Sequence, residues 1–269
     1  MRFALNHMVA PGLDYAAFFD LARSLGIDAV EIRNDLAATS RMEMASAVEI
    51  HKLAAARHLE IFSVNALQRF NDWNGKRESE ARELAAYAAA AGAKALVLCP
   101  VNDTGFAPST ADHLAGLRAA LKGLAPILSE YGLTGLVEPL GFAECSLRLK
   151  SEAVAAIDAA GVADRFALVH DTFHHFVAGE KDVFPKRTGL VHISGVTDAK
   201  ATAANMRDPH RVLVDAADKL DNAGQIRKLL AGGYTGPLSF EPFAAEVHRD
   251  PAIAKSLSAS RHYVEKAAA

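Results

Sequence analysis

Four acidic or imidazole side chains each follow a short apolar run in the second half of the chain. They are Glu138 in "LVEP", Asp171 in "LVHD", His192 in "LVHI" and Glu241 in "SFEP". A charge placed directly after apolar residues must be compensated by a partner or by a cation. One such residue alone is more often a solvated or ion-paired strand end, but four of them predict a shared divalent metal site. Three carboxylates and one imidazole suit Mn2+, which we expect, or Mg2+ and Co2+, and Zn2+ is also possible.

The densest of these segments is "LVHDTFHHF", residues 168–176. Asp171 is the expected metal ligand. His170 alternates to the opposite face of the strand and is therefore interpreted as a structural histidine that faces a helix. His174 lies just past the strand end, where its imidazole could reach a molecule bound at the metal. His175 fits either role.

Eight short runs of strand type alternate with amphipathic helical segments along the whole chain. The runs are "FALNHM", "AVEIRN", "IFSVNA", "ALVLCPV", "GLVEPLG", "FALVHDT", "GLVHISG" and "PLSFEPF". Eight apolar strands with crossover helices predict an α/β fold of the (β/α)8 TIM barrel type. A doubly wound open sheet is the alternative, but "HMVAPG" after the first run has neither a G-x-G-x-x-G nor a Walker pattern.

The chain reads as one domain over residues 1–269, because no linker or low-complexity segment divides it. One connection departs from the regular spacing: the run "VTDAKATAANMRDPHRVLVDAADKLDNAG" after the seventh strand is long and polar. In a barrel of this type the active site forms at the carboxyl ends of the strands. A long loop there is a natural segment to cover a substrate.

Composition excludes several classes of partner. The 29 Lys and Arg residues against 32 Asp and Glu give a net charge of -3, without a basic tract for nucleic acid. The longest apolar region is interrupted by Gly92 and Lys94, which argues against a membrane span. Two cysteines and no recognisable signal peptide predict a reducing cytoplasm.

These residues resemble the xylose-isomerase-like barrel superfamily over the full chain, in particular its branch of inosose isomerases and ketose 3-epimerases. That resemblance implies one metal held by Glu138, Asp171, His192 and Glu241 on strands five to eight. The family's Asp-x-x-His, whose histidine contacts a substrate oxygen, matches "DTFH" and so His174. The closing pattern of a helix, Gly-Tyr and a strand ending in Glu is present in "IRKLLAGGYTGPLSFEPF".

The resemblance also implies further residues that bind substrate hydroxyls. Glu144 in "EPLGFAE" matches a second glutamate of the ketose 3-epimerases, and Arg211 in "DPHRV" matches an arginine after strand seven. This chain departs from many inosose isomerases after that arginine, where "VLVDAADKLD" replaces a Pro-Gly or Gly-Asp-Gly turn. His7 and Asn65, at the ends of strands one and three, are weaker candidates for polyol contacts, and a role in satisfying backbone groups is about equally consistent.

The implied reaction is isomerisation or epimerisation of a polyhydroxylated ketone. A cation bound by the carbonyl and adjacent hydroxyl acidifies the C–H between them, because it stabilises the enediolate. Glu138 and Glu241 resemble the family's acid/base pair. An inosose is the first expected substrate and a ketohexose the second, in a homodimer or homotetramer.

Two other activities occur on the same fold. A dehydratase would expel a β-hydroxyl from the same enediolate, and it is the main alternative. Type IV AP endonucleases need extra histidine ligands for a three-metal cluster, and His7 has no convincing companions here. A sugar-binding scaffold without activity predicts a broken ligand set, whereas this set is intact.

Overall fold

Eight parallel strands pair in chain order into a closed barrel. The computed structural model describes residues 1–36, 43–106 and 109–269. The strands are β1 (Phe3–Asn6), β2 (Ala29–Arg33), β3 (Glu60–Gln68), β4 (Ala95–Cys99), β5 (Thr134–Val137), β6 (Phe166–Asp171), β7 (Thr188–Ile193) and β8 (Leu238–Phe240). Each coincides with one of the eight runs identified in the sequence. The predicted TIM barrel is therefore confirmed, and the open doubly wound sheet is excluded.

Helices connect the strands and form the outer layer. They are α1 (Tyr15–Ser24), α2 (Met44–Ala56), α3 (Gly75–Ala90), α4 (Thr110–Glu130), α5 (Lys150–Ala160), α6 (Thr172–Ala178), α7 (Asn222–Ala231), α8 (Ala245–His248) and α9 (Ile253–Ala267). Local signals set the helix ends. The Asp14 carboxylate accepts from the N–H of Ala17 at the start of α1, which is the expected N-cap contact.

Both faces of the sheet are buried, as a parallel sheet with covering helices requires. Strand residues such as Leu5, Val30 and Leu96 have no exposed surface, and they belong to one hydrophobic cluster with aromatic side chains of α1, including Phe18. Each buried aliphatic or aromatic side chain contributes roughly 1.5–3 kcal/mol relative to exposure. This core fixes the strand ends on which the polar residues lie. Within the described ranges, no helix is long and apolar enough to cross a membrane.

Strand register brings the polar strand ends together. Asp171 and His192 are Cα partners on neighbouring strands β6 and β7. Glu138 directly follows β5, and Glu241 directly follows β8. All four residues therefore lie at the carboxyl-terminal rim of the barrel, the end at which active sites of this fold are built.

Candidate metal centre and cavity

The four residues predicted as metal ligands converge on one point. One ligand atom from each of Glu138, Asp171, His192 and Glu241 lies within 4.8 Å of all the others, and all four residues are buried. The Nδ1 atom of His192 is 2.9 Å from Glu138 Oε1 and 3.2 Å from Glu241 Oε2. Three carboxylates and an imidazole nitrogen at this spacing could hold a divalent ion.

Asp171 reaches the site because it ends one element and begins the next. It is the last residue of β6, and its Oδ1 accepts from the backbone N–H groups of Phe173 and His174 at the start of α6. Its Oδ2 is left for the site, where it accepts from Arg211 Nη2 at 2.5 Å. The local sequence "HDTFH" therefore fixes the direction of this carboxylate and the position of His174 together.

A further carboxylate contacts the other ring nitrogen of the histidine. Glu31 on β2 has no exposed surface, and its oxygens lie 3.1 and 3.2 Å from His192 Nε2. Burial alone lowers the pKa of His192, but the charges of Glu241, Glu31 and Glu138 outweigh burial and raise its pKa well above the usual range. These carboxylates therefore favour positive charge at this position.

Two buried arginines flank Glu241. Arg33 Nη1 donates to Glu241 Oε1 at 2.7 Å, and Arg211 Nη2 donates to Oε2 at 2.9 Å. Burial opposes ionisation of Glu241, but His192 and the two guanidinium groups more than compensate and hold its pKa well below the usual range. Glu241 is therefore a carboxylate.

The charge balance at this point fits a divalent cation. Four buried carboxylates (Glu31, Glu138, Asp171 and Glu241) face two buried guanidinium groups (Arg33 and Arg211). With a neutral His192, two negative charges remain uncompensated, and a buried charge without a partner is costly. The residues present therefore fit a divalent ion in both donor type and charge.

A cavity of about 440 Å³ opens above these residues. Of the four ligand residues, Glu138 and Glu241 line its wall, whereas Asp171 and His192 are not among its lining residues. The Cys99 thiol, 3.5 Å from Glu138 Oε2, is a donor to that carboxylate. Burial raises the pKa of Cys99, and the charge of Glu138 raises it further, so the thiol keeps its proton.

Three of the predicted substrate contacts line this cavity: His174, Arg211 and Asn65. His174 packs edge-on against Phe142 at 5.1 Å, and its Nδ1 has no hydrogen-bond partner among the described residues. Arg211 also donates to Ser194 Oγ, so its guanidinium is fixed from several sides. Asn65 donates its amide to Glu31 Oε2 at 2.8 Å.

The structure places His7 and Glu144 outside the cavity wall. His7 stacks on Phe18 with ring centroids 4.3 Å apart, and its Nε2 lies 2.9 Å from the carbonyl oxygen of Leu13. Of the two roles open for His7, this geometry fits contact with backbone groups, because the short 3-10 turn that follows β1 directs the ring toward α1. Its burial lowers the pKa of His7 to about 4.

Glu144 borders a neighbouring hollow instead. Its Oε1 lies 3.7 Å from Arg207 Nη2, and both residues line a space of about 330 Å³ beside Phe142. Glu144 therefore does not line the main cavity, because the loop after β5 turns its side chain toward Arg207.

Two other histidines, His170 on β6 and His175 on α6, contact groups outside the candidate metal site. His170, fully buried, has its Nε2 2.9 Å from Gln225 Oε1 on α7, in agreement with the predicted structural role. His175 Nδ1 lies 2.6 Å from the ammonium of Lys150, which also pairs with Glu180. These groups stand behind β6, so His175 belongs to the structural set.

Sequence reasoning missed Glu31 and Arg33. Both lie on β2 in "AVEIRN", two residues apart, and therefore point to the same face of the strand. Two charges on one face of an otherwise apolar strand were the available signal. Charged residues within all eight strands, and not only at the ends of strands five to eight, would have pointed to Glu31 and Arg33.

Comparison with known proteins agrees with the fold. A family model described as xylose isomerase-like TIM barrel matches residues 19–263. A xylose isomerase domain containing protein from Salmonella typhimurium LT2 is 32% identical, with a TM-score of 0.87 over 99% of this chain and 97% of that one. No curated protein matches the chain.

Two more distant structures share the architecture. The IOLI protein with a binding zinc atom is 19% identical, with a TM-score of 0.84 over 100% of this chain and 98% of that one. D-psicose 3-epimerase from Clostridium cellulolyticum H10, described with D-tagatose, is 14% identical, with a TM-score of 0.76 over 100% of this chain and 99% of that one. At these identities the likeness concerns the fold.

Proposed function

The chain belongs to the xylose isomerase-like TIM barrel family, and from this membership we propose that it is a metal-dependent isomerase or epimerase of a polyhydroxy ketone. The observation that carries the proposal is the position of Glu138 and Glu241. Both border the cavity, and both belong to the buried ligand set. Two carboxylates that face a bound molecule can remove a proton from carbon and return one.

Glu138, Asp171, His192 and Glu241 would hold the ion, for which we propose Mn2+. A divalent cation bound there would supply Lewis-acid polarisation of the carbonyl oxygen of the substrate and so acidify the neighbouring C–H. Glu138 takes the proton from that carbon on one side of the substrate. Glu241, a carboxylate at rest, takes up a proton from water in the cavity and delivers it to carbon from the other side. Since His192 and the two guanidinium groups hold the pKa of Glu241 well below its usual range, its part in the proton transfer depends on close positioning.

Other cavity residues orient the substrate. His174, with its unsatisfied ring nitrogen, donates to the oxygen on which negative charge develops. Arg211 donates hydrogen bonds to Asp171 and Glu241 and so holds both carboxylates in place. Arg211 also lines the cavity. Asn65 contributes a polar atom to a hydroxyl of the substrate.

The proposed substrate is an inosose first and a ketohexose second. The zinc-binding IOLI protein and D-psicose 3-epimerase share this fold, and the cavity size of about 440 Å³ is within the range for a monosaccharide-sized ligand. The buried free thiols Cys99 and Cys145 support a reducing cytoplasm as the setting. We propose a homodimer or homotetramer, which light scattering would test.

The deciding experiment is proton NMR in D2O with scyllo-inosose and then a panel of ketohexoses. The protein is stripped with EDTA and reconstituted with Mn2+, and protein without metal and metal without protein serve as controls. Deuterium incorporation beside the carbonyl together with a new ketone isomer supports the proposal. Loss of water from the ketone would instead identify the protein as a dehydratase. If no ketone exchanges deuterium, the isomerase proposal is wrong.

A further inference from the structure

Glu31 is a buried carboxylate that the reaction proposed above does not use. It lies on β2, which pairs with none of the strands that carry the four ligands, and has no exposed surface. It is separated from His192 by 161 residues in the sequence, yet its carboxylate contacts that imidazole. A buried carboxylate is costly unless its oxygens are fully hydrogen-bonded.

Apart from His192, the neighbours of Glu31 are neutral donors. Ser63 Oγ donates to Oε2 at 2.5 Å, Asn65 Nδ2 donates to Oε2 at 2.8 Å, and Asn6 Nδ2 donates to Oε1 at 3.4 Å. Side-chain amide N–H groups can only donate, so this shell is built for an acceptor at position 31. The contact with His192 Nε2 must then have Glu31 as the acceptor and the ring as the donor.

This contact decides which ring nitrogen is available for a metal. When Nε2 carries a proton, Nδ1 of the neutral ring has a free lone pair. Nδ1 is the atom that faces the other ligands, 2.9 Å from Glu138 Oε1 and 3.2 Å from Glu241 Oε2. Carboxylates that accept from the far nitrogen of a ligating histidine fix its tautomer and increase its basicity.

We infer that Glu31 is a positioning residue for the metal centre, which fixes the orientation and the Nε2–H tautomer of His192 so that Nδ1 binds the ion. The inference rests on the proposed function, because it presumes that a divalent ion binds at the four ligands. Glu31 touches neither the ion nor the substrate. Its contribution is to the affinity for the metal and to the state of the imidazole.

The first test is metal affinity, read from the signal of free Mn2+ in electron paramagnetic resonance. Glu31→Gln keeps an acceptor oxygen and loses the charge, whereas Glu31→Ala loses both. We expect Mn2+ to bind about tenfold more weakly to Glu31→Gln and up to about 100-fold more weakly to Glu31→Ala. Dissociation constants equal to that of the wild type in both variants would overturn the inference.

The matched control is Glu180→Gln. Glu180 is also a buried carboxylate, paired with Lys150 at 2.9 Å, but it stands behind β6 and contacts none of the four ligands. This control should bind Mn2+ as the wild type does. An equal loss of affinity in the control would show that the effect of Glu31 is a general loss of stability, and would also overturn the inference.

A second measurement does not depend on how the variants fold. In Zn2+-loaded wild-type protein with 15N-labelled histidine, two-bond proton–nitrogen correlations identify the protonated nitrogen of His192. A proton on Nε2 and a metal-shifted Nδ1 support the inference, and the reverse assignment overturns it. If the wild-type protein binds neither Mn2+ nor Zn2+, the proposed metal-dependent function fails, which is a different result from normal binding unaffected by Glu31.

Discussion

Arg33 and Glu241 form a buried ion pair of 2.7 Å that joins β2 to the end of β8. Their side chains are only 6% and 4% exposed. The same guanidinium also forms a two-point contact with Asp35 through Nε and Nη2. Glu241 is thereby held from the side opposite to Arg211, and its direction is set before any ion or substrate binds.

Replacement of Arg33 by Met should be costly for the metal-free protein. Removing one partner of a buried pair leaves an uncompensated charge, so we expect the free energy of unfolding to fall by about 3–5 kcal/mol. The loss should be smaller with saturating Mn2+, because the cation then balances Glu241. Urea unfolding with and without metal measures both values.

Arg57→Met is the matched control for this substitution. Arg57 pairs with Asp20 at the surface, where the two side chains are 22% and 64% exposed. An exposed pair contributes at most about 1 kcal/mol, so this variant should unfold nearly as the wild type does. The same loss for Arg33→Met in both metal states would contradict the proposed compensation by the ion.

Glu138→Gln should abolish turnover while the barrel stays folded. The amide has the same shape as the carboxylate but cannot accept the proton from carbon, and general acid–base groups contribute about 10²–10⁴-fold to rate. Deuterium exchange at saturating Mn2+ and circular dichroism are the readouts. The exposed Glu49 on α2, changed to Gln, serves as control. Exchange at the wild-type rate in Glu138→Gln would show that another group removes the proton.

Acidification should destabilise the fold through its buried neutral histidines. Burial lowers the pKa of both His7 and His175 from 6.5 to about 4, and nearby Lys150 adds to the effect at His175. Between these two values the unfolded chain binds protons that the folded chain does not. Stability therefore falls as the pH decreases from 6.5 to 4, by up to about 3 kcal/mol for His7.

Urea unfolding midpoints between pH 7 and pH 4.5 check this dependence. His7→Gln should flatten the curve relative to the wild type. The exposed His262, changed to Gln, controls for the substitution itself. A curve for His7→Gln that is as steep as the wild-type curve would exclude His7 as a source of the pH dependence.

Gly141→Ala should disturb the cavity from the loop after β5. Gly141 has a φ of +70°, and a Cβ atom there would lie 2.2 Å from the backbone oxygen of His174. The left-handed conformation alone costs a non-glycine residue about 1–3 kcal/mol. Relief of the contact must in addition displace α6, so we expect KM to rise as well as the melting temperature to fall.

Gly26→Ala separates these two effects. Gly26 has a similar φ of +65°, but a Cβ atom there would meet nothing within 4 Å. It should therefore show the backbone cost without a change in KM. An equal change in KM for both variants would argue against a displacement of His174.

The sequence was sufficient to predict the barrel and the meeting of the four ligand residues. Short apolar runs separated by helical segments have few closed arrangements, and the carboxyl ends of parallel strands must share one rim. Asp171 and His192 therefore meet once β6 pairs with β7. Glu138 and Glu241 join them because β5 and β8 flank that pair of strands in the closed ring.

Contacts across the barrel interior could not be predicted in the same way. Glu31 meets His192 because both side chains point into the barrel from strands that are not neighbours, β2 and β7, and this contact is not visible in the spacing of either residue. His7 follows β1 directly, yet a 3-10 turn over His7–Val9 places its ring on Phe18. Glu144 lies in an irregular loop, where its side chain is near Arg207, and no period of the sequence predicts that direction.

The contact between Glu31 and His192 also bears on how the protein is made. A ribosome releases β2 long before it has synthesised β7 and the glutamate that follows β8. Since the last ligand, Glu241, takes its place only when β8 pairs with β1, a nascent chain that lacks its final strand cannot present the complete set. Tight retention of a divalent ion would thus mark a molecule whose ring of strands is closed.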